Sequence, residues 1–399
     1  MNRRSGEASA AAIATYYFAL LAAVGSFYPY FALYLTSVGL SAATATRVLA
    51  IIPFMSLVAP PLLGLVADAR SARVWLLRGL SLGATIAFAG FQLAAGNVVA
   101  VVAIATLFGL LRSPLNSLAD ATAFEHIRQH GGSYGQLRMW GSIGYLVLVF
   151  GGGWLIEATS LHSVVWTTTA MLALGAACAW RMPSPPLARQ PAAVRAWTHM
   201  LRLPVLWLFL GSVFAAQVAG TVYDTTFAIH LQRLGFGGTF TGAAIALGVA
   251  VEVLFMARSA PIIERLGVER ALALAIAISA LRWYALAHVT GAAAILMLQP
   301  LHAITFGLYW VAATALMRDY AGPAATAAGQ GLLAAVMGSG SVLGNVYAGG
   351  ILDRLGGAGL WRCAAAVAAA AALGAGAHAW LHRPGRAPAA AATATPRDA

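Results

Sequence analysis

Hydrophobic and polar positions along this chain do not alternate finely. Long apolar stretches follow one another, cut at short intervals by glycine, proline and charged clusters. A helix needs ~20 mostly apolar residues to cross a bilayer core. The stretches near 11–36, 44–66, 74–95, 98–122, 137–157, 161–180, 204–231, 239–262, 270–288, 291–317, 324–350 and 357–380 each come close to that length. They predict an all-α polytopic membrane protein with twelve spans. One connection is long and polar: 181–203 contains Pro183, Pro185, Pro186 and Pro191 and lies at the middle of the chain. It predicts a six-helix bundle over 1–180, a cytoplasmic linker over 181–203, a second bundle over 204–381 and a disordered tail over 382–399.

Composition strengthens this reading. Of 399 residues, 60% are hydrophobic and 9% charged, whereas charged residues make up roughly a quarter of a soluble domain. The net charge of +12 would suggest nucleic acid if the arginines covered a folded surface, but they fall between apolar runs. Cys178 and Cys363 stand in such runs, which leaves neither a disulfide framework nor a multi-cysteine metal site. No cofactor is expected. Arg3 and Arg4 resemble the front of a signal peptide, yet the apolar run behind them is too long, so it reads as a retained first helix. Arginine placement predicts orientation, because positive short loops stay cytoplasmic. With both termini inside a bacterial inner membrane, sixteen arginines border the cytoplasm, and the other side holds four, Arg47, Arg233, Arg354 and Arg362.

The two halves repeat each other. Phe31-Ala32-Leu33-Tyr34-Leu35 recurs as Phe227-Ala228-Ile229-His230-Leu231, an offset of 227 − 31 = 196, and Gly39 recurs at Gly235. Phe108-Gly109-Leu110 recurs at Phe306-Gly307-Leu308, and Gly141-Ser142 is expected to match Gly338-Ser339.

These features resemble the major facilitator superfamily over the whole length. Gly64-Leu65-Val66-Ala67-Asp68-Ala69-Arg70 is similar to the family's Gly-x-x-x-Asp-Arg loop after the second helix, with the arginine displaced by one position. The place after the eighth span carries Glu264, Arg265 and, soon after, Arg270. In the family such loops lock one conformation by charges set against helix ends. Tyr134-Gly135-Gln136-Leu137-Arg138-Met139-Trp140-Gly141-Ser142-Ile143-Gly144 resembles the fifth-helix signature of the branch holding lactose permease-like symporters and 3-phenylpropionate transporters. That resemblance implies a carboxylate at Asp120 pairing with Arg138, an arginine of helix nine at Arg282 and a histidine of helix ten at His302. The position three residues beyond His302, a carboxylate in lactose permease-like symporters, is Thr305 here, and Glu252 lies about a turn from the sugar-binding carboxylate of helix eight. Both departures weigh against a sugar.

An ionisable group inside a span costs ~3 kcal/mol or more unless paired or wetted, so those this chain keeps need a reason. Arg112, Asn116 and Asp120 recur at i, i+4 and i+8, and Gln217, Thr221 and Asp224 at i, i+4 and i+7, each set along one helix face. Asp224 and Glu252 are candidates to carry a proton, with simple pairing to Arg258 or Arg282 as the rival account. Arg282 suits a carboxylate substrate, His302 a proton relay, and Tyr28, Trp140 and Tyr309 an aromatic ligand or a bilayer interface. Gly151-Gly152-Gly153 and Gly338-Ser339-Gly340 lack the Lys-Ser/Thr of a phosphate loop, so a gradient must supply the energy. An intramembrane enzyme would show a motif such as His-Glu-x-x-His, and a receptor a signalling domain; neither occurs. The expected function is alternating-access symport of protons with a small aromatic carboxylate by a monomer in the lipid bilayer. A sugar, a nucleoside or efflux are the alternatives.

Overall fold

A computed structural model describes residues 3–69, 73–94, 96–182, 201–256, 258 and 260–382. Most of the expected linker, the tail beyond 382 and Arg70 lie outside the described residues. Within them the chain is helical, without strands. Among the described residues nine helices are long and apolar enough to cross a membrane. The sixth passage, Ser163–Ala179, falls just short at 17 residues. The ninth, Val268–Leu286, carries Glu269, Arg270 and Arg282. The last helical stretch, Ala328–Leu381, holds two passages in its 54 residues. These three additions bring nine to twelve.

Helix follows helix without an intervening loop over the 73 residues Tyr309–Leu381, which as a straight rod would reach about 110 Å, several times a bilayer core. It is not a straight rod. Gly322 and Gly356 stand at φ +65° and +68°, the left-handed region that costs glycine nothing, and the chain reverses at each. The reversals bring Gln330 Nε2 within 2.9 Å of the Thr314 carbonyl and Tyr320 Oη within 2.7 Å of His378 Nε2. Passages ten, eleven and twelve are therefore 292–321, 323–355 and 357–381. Elsewhere the breaks are local: Asn97 accepts from the Ala100 amide to start the fourth passage, and Gly131 and Gly132 turn it into the fifth, Tyr134–Ala158.

The duplication seen in the sequence governs the packing. The fifth passage lies on the first, Arg3–Phe27, because Gly144 lets it rest against the Phe18 carbonyl. The eleventh lies on the seventh, Pro204–Arg233, because Gly340 does the same against the Phe214 carbonyl. Both pairs keep one offset, 340 − 144 = 214 − 18 = 196. The expected match of Gly141-Ser142 with Gly338-Ser339 is thus one residue out of register. Backbone contact, not local resemblance, fixes the correspondence. A methyl group at either glycine would collide with a main-chain oxygen that cannot move aside.

Candidate transport site

The polar residues of the second half converge on Arg282. Its side chain is fully buried, and it donates to Thr305 Oγ1 at 3.0 Å and Gln299 Oε1 at 3.0 Å. The guanidinium lies 4.6 Å over the Tyr223 ring and 4.8 Å from that of Trp283, an arrangement that stabilises a desolvated cation. Tyr223 Oη also donates to Gln299 Oε1 at 2.8 Å, and Gln299 is anchored by donating to the Ile295 carbonyl. Gln299 belongs to a 3-10 turn and Thr305 to a π-helical stretch, Ala303–Leu308. Such stretches shift side chains around the axis and occur often at functional sites.

His302 links this cluster to the eighth passage, Gly238–Met256. Its Nδ1 is 3.3 Å from Arg282 Nη1 and its Nε2 3.2 Å from Glu252 Oε2. A guanidinium only donates, so Nδ1 accepts, the ring proton sits on Nε2, and it is given to Glu252. The approach depends on two glycines: a methyl at Gly248 would meet His302 Cβ at 3.1 Å, and one at Gly307 would meet Glu252 Cγ at 3.2 Å. Glu252 therefore pairs with His302, and neither of the partners anticipated from sequence takes it; Arg258 is exposed in a turn.

Asp224 lines the same cavity, with Gln217, Gly220, Tyr223, Ser279, Tyr309 and others. The predicted face of the seventh passage holds: Gln217 and Thr221 share Ser341 of the eleventh, at 3.0 and 3.1 Å. Tyr309 is held by donating to the Val213 carbonyl at 3.1 Å. The cavity amounts to about 40 Å³, room for a few waters and too little for an organic solute.

In the first half the structure corrects an expected pairing. Asp120 accepts hydrogen bonds from Tyr17 Oη at 2.6 Å and Tyr134 Oη at 2.9 Å, and the Arg138 guanidinium lies 5.5 Å over the Tyr17 ring. Two tyrosines thus complete the carboxylate, and the arginine is attracted through an aromatic face. The Arg112, Asn116 and Asp120 stripe crosses a break at Ser113 and Pro114, between Val98–Arg112 and Leu115–His130. Asn116 is exposed, while Arg112 is partly covered and makes no hydrogen bond or ion pair among the described residues. Tyr28 lies within electrostatic reach of both Arg112 and Asp224, so one charge from each half flanks one tyrosine. Trp140, 47% exposed, lies well around the fifth passage from the side that carries Tyr134, Arg138 and Tyr145 and is not part of this group. Gly64 and Asp68 fall in the last turns of Ala42–Ala69; Glu264, Arg265 and Arg270 are exposed and do not bond one another.

Sequence reasoning missed Tyr17, Tyr134, Tyr223 and Gln299. It weighed ionisable groups inside spans, and uncharged polar groups give a weaker signal. Gln299, the sole glutamine of an apolar run beside Pro300, was legible by the same cost argument.

The chain matches the MFS_1 like family over residues 11–363. It is 31% identical to a maltose permease of Geobacillus stearothermophilus over 281 residues, covering 68% of this chain and 69% of that protein. It is 27% identical to a probable 3-phenylpropionic acid transporter of Escherichia coli (strain K12) over 359 residues, 86% and 92% of the two chains. The fold superimposes on the nucleoside transporter NupG with a TM-score of 0.78 at 17% identity, over 92% of this chain and 98% of that one. A bacterial homologue of the lysosomal transporter Spinster gives 0.70 at 14%, over 95% and 96%. The match over residues 11–363, with relatives that are permeases and transporters and a fold shared with solved transporters, places the chain in the MFS_1 like family of major facilitator transporters, as a membrane transporter of small molecules and not an enzyme.

Proposed function

We propose that this transporter imports a small aromatic carboxylate together with protons across the bacterial inner membrane, as a monomer with both termini in the cytoplasm. The observation that carries the substrate class is Arg112. It is a charge within an apolar span that makes no ion pair among the described residues, and it and Asp224 of the other half both lie within electrostatic reach of Tyr28. A guanidinium so placed binds a carboxylate in two parallel hydrogen bonds. The cavity inside the second half is too small for the solute, so the solute sits between the halves. There the Tyr28 ring supplies an apolar face. Asp224 is the proton carrier, because it faces the cavity without a hydrogen-bond partner among the described residues and can gain or lose a proton as access changes sides. The relative named as a probable 3-phenylpropionic acid transporter supports the same class. The halves rock about this site, alternately wetting it from either face. The arginine-rich face is inward by the positive-inside rule.

The second reading is sugar symport, favoured by the maltose permease relative. One experiment separates them: uptake of labelled 3-phenylpropionate into proteoliposomes under an acid-outside gradient, with and without a protonophore, and with maltose in parallel. Accumulation of the acid, abolished by the protonophore, is expected. Accumulation of maltose alone establishes the second reading, and failure to accumulate the acid above empty liposomes ends the first.

A further inference from the structure

Away from the charge clusters, at the face opposite the arginine-rich one, the two halves are joined by a device built twice. The fifth passage ends in Gly153-Trp154-Leu155-Ile156-Glu157, and the eleventh contains Gly349-Gly350-Ile351-Leu352-Asp353. Glu157 Oε2 accepts the backbone amide of Thr239, the second residue of the eighth passage, at 2.8 Å. Asp353 Oδ2 accepts the backbone amide of Ala43, the second residue of the second passage, Ala42–Ala69, at 3.1 Å. Both bonds cross from one half to the other. Four residues before each carboxylate, Gly153 rests on the Gly238 carbonyl and Gly349 on that of Ala42. Every pair keeps the offset of the duplication: 353 − 157 = 239 − 43 = 349 − 153 = 238 − 42 = 196.

We propose that Glu157 and Asp353 are twin latches that hold this face shut. Each carboxylate completes an amide left open by the first turn of a helix in the other half and sits at that helix's positive end. Rocking that parts the halves at this face removes both partners at once. The carboxylates then return to water, which receives them at little cost because both are exposed. A latch of this kind biases the equilibrium without trapping it. The two are not equal. Asp353 also accepts from Arg233 Nη2 at 2.9 Å, and Arg233 Nη1 donates to the Leu352 carbonyl, so its carboxylate is held in position by its own half. Glu157 has no such brace among the described residues, and position 37, where the offset places Arg233, is Ser37. This inference rests on the rocking motion proposed above and on no particular substrate or ion, and its test uses neither.

In purified protein with Cys178 and Cys363 replaced by alanine, a reporter cysteine is placed at Ala228, which lines the cavity beneath the latched face. A second, separate reporter is placed at Ala216, in the cavity of the charge cluster. Maleimide labelling rates are then compared between the parent, Glu157→Gln, Asp353→Asn and the double variant. Losing a charged acceptor at a helix start is expected to speed labelling at position 228 by about fivefold for each carboxylate, and labelling at 216 falls as that at 228 rises. Unchanged rates in the double variant overturn the proposal. Rates rising together at both reporters overturn it too, because they indicate loosening and not a shift between two conformations.

Discussion

At the scale of single residues, the two best-held charges within the spans, Arg282 and Asp120, are satisfied by neutral groups. Arg282 rests on an amide, a hydroxyl, a histidine and two aromatic rings, and Asp120 on two phenols. Charged hydrogen bonds of this kind are worth about 1.5–3 kcal/mol each, and they keep the group charged without cancelling its field. Arg282→Lys retains the charge but loses the fork, and is expected to lower transport by about tenfold or more, measured as initial uptake rate at equal protein. Asp224→Asn should abolish gradient-driven accumulation while leaving exchange of solute across a membrane at equal pH, because binding survives and proton release does not. Arg112→Gln discriminates between solutes: it is expected to raise the KM for an aromatic acid by about tenfold and leave that for an uncharged sugar nearly unchanged.

At the scale of helices, the cluster exists because particular passages come unusually close. Gly248 and Gly307 remove the side chains that would hold the eighth and tenth passages apart, and Gly144 and Gly340 do so for the first with the fifth and the seventh with the eleventh. Overpacking a close contact costs about 1–3 kcal/mol. Gly248→Val should therefore lower thermal stability and separate Glu252 from His302. Gly151→Val, where a side chain meets nothing nearby, should do neither. The apolar passages themselves were legible, since length and hydropathy act locally. A bend at Pro114 was legible too, because proline brings no amide to the helix. The π-helical stretch at Ala303–Leu308 was not, because it is set by packing against other helices, which no window of sequence contains.

At the scale of the whole molecule, an offset of 196 relates the first, second and fifth passages to the seventh, eighth and eleventh, from the helix contacts in each half to the two latches between halves. The latches and the charge clusters lie at different depths, so changes at one need not disturb chemistry at the other. Glu157→Gln is accordingly expected to alter the balance of the two access states while binding at the site stays as it was. Solute affinity in detergent, corrected for the fraction of protein in the competent state, checks this.

The sequence by itself determined that the chain crosses a membrane many times, that it is duplicated, that its charges inside the spans need a reason, and that Gln217, Thr221 and Asp224 share a face of one helix. The duplication follows from residues that recur at a constant offset, and the rest from the cost of polar groups in hydrocarbon and from the 3.6-residue period. Only the tertiary structure decided which helix each charge meets. Glu252 takes His302 and neither arginine; Asp120 takes Tyr17 and Tyr134 ahead of Arg138; Glu157 and Asp353 reach amides some 80 and 310 positions away in the chain. The reason is geometric: spacing along a helix fixes a direction around its own axis, and the partner found in that direction depends on how a different helix is rotated, tilted and slid in depth.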